Sequence, residues 1–280
     1  MAGALWMLAA GLLFASMGVF VKLASANFSS TELAFYRSLF GLVLVSSMLY
    51  PKRIPIATPH WRGHLWRGLS GTVAMMLFYY CLTTLPLATA LTLNYTSSLF
   101  LTGLTLVVYK DKLHLPLAAS LVLGFIGIIL LLHPTLEREQ LLDGLAGLAS
   151  GFLAGIALMN VRQLGRLGEP ATRVVFYLNL IASIACGLWM LRGEVHAVSW
   201  HDLPLLFAVG ASATFAQLAL TRAYRLGHTQ VMSTLSYGTI AFGSLFGLVL
   251  WNESLPPSGW MGIALIVGSG VLSLRLSPKH

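Results

Sequence analysis

Ten stretches of predominantly apolar residues follow one another along the chain with little between them: roughly 2–25, 31–50, 66–84, 87–108, 115–133, 143–161, 172–191, 203–222, 229–251 and 257–274. Each is long enough to carry an α-helix across a hydrocarbon core about 30 Å thick. In lipid the backbone must satisfy its own polar groups, so only helices and closed barrels span, and runs of this length are helical. The chain reads as an all-α polytopic membrane protein with ten transmembrane helices. Its charge content agrees: 9% of its 280 residues are charged, where a soluble domain carries about 25%. So few charges cannot cover a water-facing surface of this size.

The connections are short and hold helix-interrupting residues, among them Pro51, Pro86, Pro134, Pro170, Pro204 and the pair Pro256 and Pro257. The longest, near 51–65, is too small to be a domain. Function is therefore expected within the helical body. Ala24, Ser25 and Ala26 resemble a signal-cleavage site, yet no basic region precedes the first stretch, its apolar run is too long, and Lys22 sits just before the supposed cut. It is read as a span.

The formal charge of +8 comes from 17 Lys and Arg. They form no basic run with interleaved aromatics, so no nucleic-acid partner is expected. Their placement is a topology signal instead. With the N-terminus inside, the inner loops and tail hold Lys52, Arg53, Arg62, Arg67, Lys110, Lys112, Arg162, Arg166, Arg173, Arg222, Arg225, Arg275 and Lys279, and the outer loops hold Arg138 and Arg192. This asymmetry predicts a multi-pass plasma-membrane protein, in a bacterial inner membrane, with both termini cytoplasmic. Cys81 and Cys186 lie inside apolar runs as small buried hydrophobes. No disulfide framework, metal site or cofactor is expected.

The halves of the chain are related. Residues 81–132 laid over 223–274 at a constant shift of 142 pair Thr92 with Thr234, Tyr95 with Tyr237, Phe100 with Phe242 and Asp111 with Glu253. Upstream, Gly11 meets Gly151 and Lys22 meets Arg162 at a shift of 140, and Phe35 and Tyr36 meet Phe176 and Tyr177 at 141. Each half, 1–137 and 138–280, therefore holds five helices. An odd number of crossings makes the second copy enter from the other side, giving two inverted-topology five-helix repeats and a structural basis for alternating access.

Three further features carry a family resemblance: the opening Ala34-Phe35-Tyr36-Arg37 of the second span, a fourth span with a short loop behind it, and the closing Asn252-Glu253-Ser254-Leu255 with Trp260-Met261-Gly262. The chain resembles the drug/metabolite transporter superfamily and, within it, the EamA-type ten-helix transporters. The closing run is similar to the family's Gly-Glu-x-Leu followed by Trp-x-Gly, with Asn for Gly. In the first half Lys110-Asp111-Lys112-Leu113 departs further, with Asp for Glu. The resemblance covers nearly the whole chain. It implies a secondary transporter of small metabolites, often moved outward, such as amino acids, nucleotide-related compounds or metal-chelating metabolites. Some relatives import cofactors or S-adenosylmethionine. It also implies that helices one and six help to line a central site.

Polar residues at membrane depth are the candidates for that site. Thr92, Tyr95 and Thr102 share one face of the fourth span, and Thr234, Tyr237 and Ser244 repeat the pattern on the ninth, where Gln230 and Ser233 extend it. Tyr79 with Thr72 and Thr83 in the third span, Asn160 in the sixth, and Gln217 with Thr214 and Thr221 in the eighth add to them. The alternative use of such groups is packing between helices. A lining of rings, methionines, hydroxyls and amides suits an amphipathic organic solute better than a bare ion.

Charge within the spans is sparse: Lys22 closes the first, and Glu32 and Arg37 lie in the outer half of the second. The plain reading of Arg37 is snorkelling or an ion pair with Glu32. The functional reading is an outer gate or an anchor for an anionic group. Glycines at four-residue steps, Gly147, Gly151 and Gly155, and Gly243 with Gly247, allow close helix approach within the bundle or in a homodimer.

A membrane enzyme would need a nucleophile with its base, or a metal cluster, at reachable depth. All eight histidines fall in loops or at span ends, and no carboxylate pair lies mid-membrane. No Gly-Lys dipeptide is present, which removes the ATP-binding phosphate loop. A receptor or passive channel is disfavoured by the inverted repeat. Transport of a small-molecule solute, in a surround of membrane lipid, is the expectation that remains.

Overall fold

The computed structural model describes residues 2–51, 53–109, 119, 122–124, 126–127, 130, 141–191, 195–227, 232, 235–253 and 256–276. Every regular element among them is a helix: α1 (Ala2–Ala24), α2 (Ser30–Leu49), α3 (Trp61–Thr84), α4 (Leu87–Tyr95), α5 (Ser97–Tyr109), α6 (Leu141–Arg166), α7 (Ala171–Met190), α8 (Leu203–Leu226), α9 (Gly238–Trp251) and α10 (Pro257–Leu276). Five of these, α1, α2, α6, α7 and α8, are each long and apolar enough to cross a bilayer on their own. The protein is an all-helical, multi-pass membrane protein.

These helices do not map one for one onto the ten apolar stretches. The fourth stretch is broken at Thr96 into α4 and α5. Thr92 Oγ1 donates to the Ala88 carbonyl at 2.6 Å and Thr96 Oγ1 to the Leu93 carbonyl at 2.6 Å. Hydroxyls that compete for backbone acceptors in this way weaken a helix locally. The ninth stretch turns at Tyr237, the repeat counterpart of Tyr95, between helical Ser236 and Gly238. Most of the fifth stretch, and 229–231 with 233–234 of the ninth, lie outside the described residues. The third begins at Trp61 rather than near 66, and so takes Arg62 into the helix together with Arg67, which was counted with the inner loops.

Contacts at the helix ends fix the direction of each crossing. Gly3 of α1 lies against Gly227 at the end of α8. Gly63 of α3 lies against Leu164 of α6, while Tyr80 near the other end of α3 donates to Asp143 at the start of α6. Thus α1 starts on the same face as the ends of α2, α6 and α8, and α6 starts on the opposite face. The second set of helices runs through the membrane in the reverse sense to the first.

The interfaces obey the same exchange. Contact of α1 with α8 is matched by α6 with α3, and contact of α2 with α8 by α7 with α3. The fourth span, as α4 and α5, meets α6, and α9 meets α1; the pairs α2 with α7 and α4 with α9 are their own counterparts. A pseudo-twofold axis in the membrane plane produces this set. The glycine steps serve these contacts: a Cβ on Gly147 or Gly151 would meet Leu93, one on Gly155 would meet Ser97 and Phe100, and one on Gly243 would meet Leu91. These four glycines serve packing within the chain.

Candidate functional site

Between the helices of the two halves lies a cavity of about 120 Å³. Its walls are mostly apolar, with Phe14 and Met17 from α1, Met75 and Phe78 from α3, Leu91 from α4, Ala154, Ala157 and Leu158 from α6, and Leu178 and Leu220 from α7 and α8. Its polar groups are Arg37, Arg67, Tyr79, Asn94, Tyr95, Ser97 and Gln217. Several lining residues are repeat counterparts: Phe14 and Ala154, Met17 and Ala157, and Arg37 and Leu178 occupy equivalent positions in the two halves. The pseudo-twofold axis therefore runs through the cavity. In each pair the bulkier or charged member comes from the first half.

Of the expected site residues, Tyr79, Tyr95 and Gln217 come together here with Arg37. Tyr79 is buried and donates its hydroxyl proton to the Met17 thioether at 3.3 Å. Thr92 is buried on α4 but spends its hydroxyl on the Ala88 carbonyl. The Asn160 amide donates to the Ile156 carbonyl of its own helix at 3.1 Å, and Asn160 is not among the lining residues. Thr234 lies outside the described residues. Tyr237 borders a different space, an apolar groove between α1, α9 and α10 with Leu8, Trp260, Ile263 and Val267. The paired tyrosines do not face each other across one cavity.

The charged residues are rearranged relative to expectation. Arg37 is 3% exposed and neither snorkels nor pairs with Glu32; its Nη1 donates to the Met75 thioether at 2.9 Å. Arg67, expected in a loop, is 5% exposed, and its Nη2 donates to Gln217 Oε1 at 3.3 Å. The sequence signal for Arg67 was hidden by its position five residues after Arg62, each following a tryptophan, where a loop charge and a buried one look alike.

Glu32 is fully buried and sits in a capping box. Its side chain accepts from the Ser29 backbone N–H at 2.7 Å, and its own N–H donates to Ser29 Oγ at 3.3 Å. The carboxylate also accepts from the His196 backbone N–H at 2.7 Å and lies 2.9 Å from His196 Nδ1. Glu32 thereby ties the start of α2 to the segment before α8. Lys22 pairs with Glu253, whose other oxygen accepts from the Leu87 backbone N–H at 2.9 Å, and its ammonium lies 5.0 Å from the centre of the Trp251 ring. One carboxylate thus gathers the ends of α1 and α9 and the start of α4 on the face opposite the N-terminus.

On the N-terminal face a second clasp joins the halves. Glu169, in the turn between α6 and α7, accepts from Thr58 and from Arg173 Nη1 at 2.8 Å, and lies 3.3 Å from His64 Nε2. Burial by itself raises the Glu169 carboxyl, but the hydrogen bonds from Thr58 and Arg173, the Arg173 charge and the adjacent His64 ring hold it below the ordinary carboxylate value. A carboxylate lowered in this way stabilises the fold above its unfolded pKa, and that contribution is lost as pH falls through the folded value. Thermal stability should therefore decline on acidification below the usual carboxylate range more steeply in the wild type than in Glu169→Gln. Parallel pH profiles for the two proteins would show that the clasp contributes nothing.

The architecture has close counterparts. The model of the EamA-like transporter family matches residues 1–133 and again 143–275. The chain belongs to the EamA-like transporter family. It is 28% identical over 279 residues to an uncharacterized transporter of Helicobacter pylori, covering 96% of this chain and 93% of that one. A pseudopaline exporter of Pseudomonas aeruginosa is 24% identical, with 96% and 92% covered, and a riboflavin transporter of Vibrio cholerae is 28% identical, with 95% and 90% covered. A solved crystal structure superposes with a TM-score of 0.73 over 98% of this chain and 96% of that chain at 17% identity, which shows the shared fold.

Proposed function

We propose that this EamA-family member is a secondary transporter that moves a small amphipathic organic metabolite outward across the plasma membrane by alternating access. The observation that carries the reading is the central cavity on the pseudo-twofold axis, walled by equivalent positions of the two halves. Exchanging the two repeats' conformations opens such a cavity to one side and then the other. In this reading 1–137 and 138–280 are the repeats. Tyr79, Tyr95 and Gln217 contact the solute, and the Lys22–Glu253 and Glu32–His196 pairs hold the face opposite the N-terminus closed, in keeping with the buried Glu32 carboxylate and the partly buried Glu253 found there. Outward movement is favoured by the likeness to a protein named as an exporter.

An untargeted metabolite comparison between cells lacking and cells overproducing the protein tests this. Overproduction should raise one solute in the medium and lower it inside; a rise inside would reverse the direction, and no change in any solute would remove the transport reading.

Both termini are assigned to the cytoplasm. Arg53, Arg62, Arg166, Arg173, Arg222 and Arg225 lie at the ends of helices or in loops on the N-terminal face, and cations of this kind are retained inside. Reporter fusions after Ser25, Arg138 and Lys279 should read outside, outside and inside. An outside signal after Lys279 would break the ten-span topology.

A further inference from the structure

Two guanidinium groups in the interior of the bundle have no anion to pair with among the described residues. Arg37 and Arg67 both line the central cavity, and the Nε of each has no acceptor among the described residues. The partners they do have are neutral: the Met75 thioether and the Tyr79 side chain for Arg37, and the Gln217 amide oxygen for Arg67. Each of the five described acidic side chains is engaged elsewhere: Glu32 with His196, Asp143 with Tyr80, Glu169 with His64 and Arg173, Asp202 with Ser199, and Glu253 with Lys22. The bundle also makes room for this arrangement. A Cβ on Gly71 would lie 2.0 Å from Arg67 Nη1, so the absence of a side chain there lets the guanidinium fold back along α3.

A cation held out of water is costly unless it is paired, and two beside one cavity repel each other as well. Arginine is suited to the missing partner, because its planar fork binds a carboxylate or phosphate through two parallel hydrogen bonds. The start of α5 reaches the same cavity at Ser97 and contributes the positive end of a helix dipole. We propose that Arg37 and Arg67 form the anion-binding end of the transport site, so that the solute is an organic anion whose carboxylate or phosphate meets the two guanidiniums. Its apolar or aromatic body lies against Phe14, Met17, Phe78 and Leu91. This rests on the transporter reading above and adds the charge of the cargo to it. A neutral or cationic solute would leave both arginines without a counter-charge among the described residues.

The test compares the solutes moved by wild-type, Arg37→Gln and Arg67→Gln proteins in cells, with the cells' own solute pool as the probe, resolved by mass and by charge. Thermal stability of each purified full-length variant is measured alongside. The expected result is that the wild type moves an anion, whose mass tells carboxylate from phosphate, and that each glutamine variant moves it about tenfold less or worse, the equivalent of losing one charge-assisted contact. Movement of a neutral or cationic solute overturns the inference and leaves the transporter reading standing. Equal movement of the anion by folded glutamine variants overturns it too. If no solute moves, the transport reading itself fails and the inference with it. Should a glutamine variant lose its fold, the Arg37→Lys and Arg67→Lys variants decide. They keep the charge but lose the fork, so KM for the anion is expected to rise about tenfold, and an unchanged KM in both rejects the site.

Discussion

Replacing Gly151 by alanine is expected to destabilise the protein by about 1–3 kcal/mol, the usual cost of forcing a methyl group into a filled interior. The added Cβ would stand 2.3 Å from Thr96 Oγ1 and 2.6 Å from the Leu93 carbonyl oxygen. The second obstacle is backbone at the break between α4 and α5, so it cannot swing aside as the end of a side chain would. Gly165→Ala, in the same helix, is the control: nothing lies within 4 Å of its Cβ, and the exchange gains up to about 1 kcal/mol of helix propensity. Thermal denaturation of the purified proteins should show a marked drop for the first and no drop for the second. Equal transition temperatures would mean that α6 does not need its close approach to the helix break.

Tyr95→Ala is expected to reduce transport by about tenfold or more, equivalent to about 1.4 kcal/mol, while Tyr95→Phe keeps a substantial part. The ring lines the central cavity, and alanine removes both that surface and the hydroxyl, whereas phenylalanine removes the hydroxyl alone. Tyr237→Ala should behave differently although the two tyrosines are repeat counterparts. Its ring borders the apolar groove beside Trp260 and Ile263, so the change should lower thermal stability and leave transport per folded molecule nearly intact. A transport loss in folded Tyr237→Ala matching that of Tyr95→Ala would put both rings at the solute. Normal transport by Tyr95→Ala at normal expression would reduce Tyr95 to a packing residue.

The contrast between these two tyrosines marks how far the repeat could be read. The alignment that pairs Tyr95 with Tyr237 is sound as an alignment, and the helix breaks at corresponding places support it. Side chains at equivalent positions nevertheless meet different surroundings once the copies diverge elsewhere. Phe14 and Met17 in the first half stand opposite Ala154 and Ala157 in the second. The cavity is consequently lopsided, and equivalent residues around it do not do equivalent work.

Hydropathy by itself determined that the chain is a helical membrane protein, because only runs of about 20 apolar residues satisfy both lipid and backbone. The inverted relation of the halves followed from the odd number of such runs in each. Which polar groups converge was decided by the tertiary structure alone. Periodicity places Thr92, Asn160 and Gln217 equally well, yet Gln217 reaches the cavity while Thr92 and Asn160 turn their polar groups to carbonyls of their own helices. Charge partners are the clearest case. The five-residue spacing of Glu32 and Arg37 offered a local pair, but Glu32 is held by His196, 164 residues away in the chain, and Lys22 by Glu253, 231 away. A sequence supplies the charges and their depth along each helix. Only the packing of distant helices settles which of them are neutralised within the protein, and so which two, Arg37 and Arg67, face the cavity without a counter-charge among the described residues.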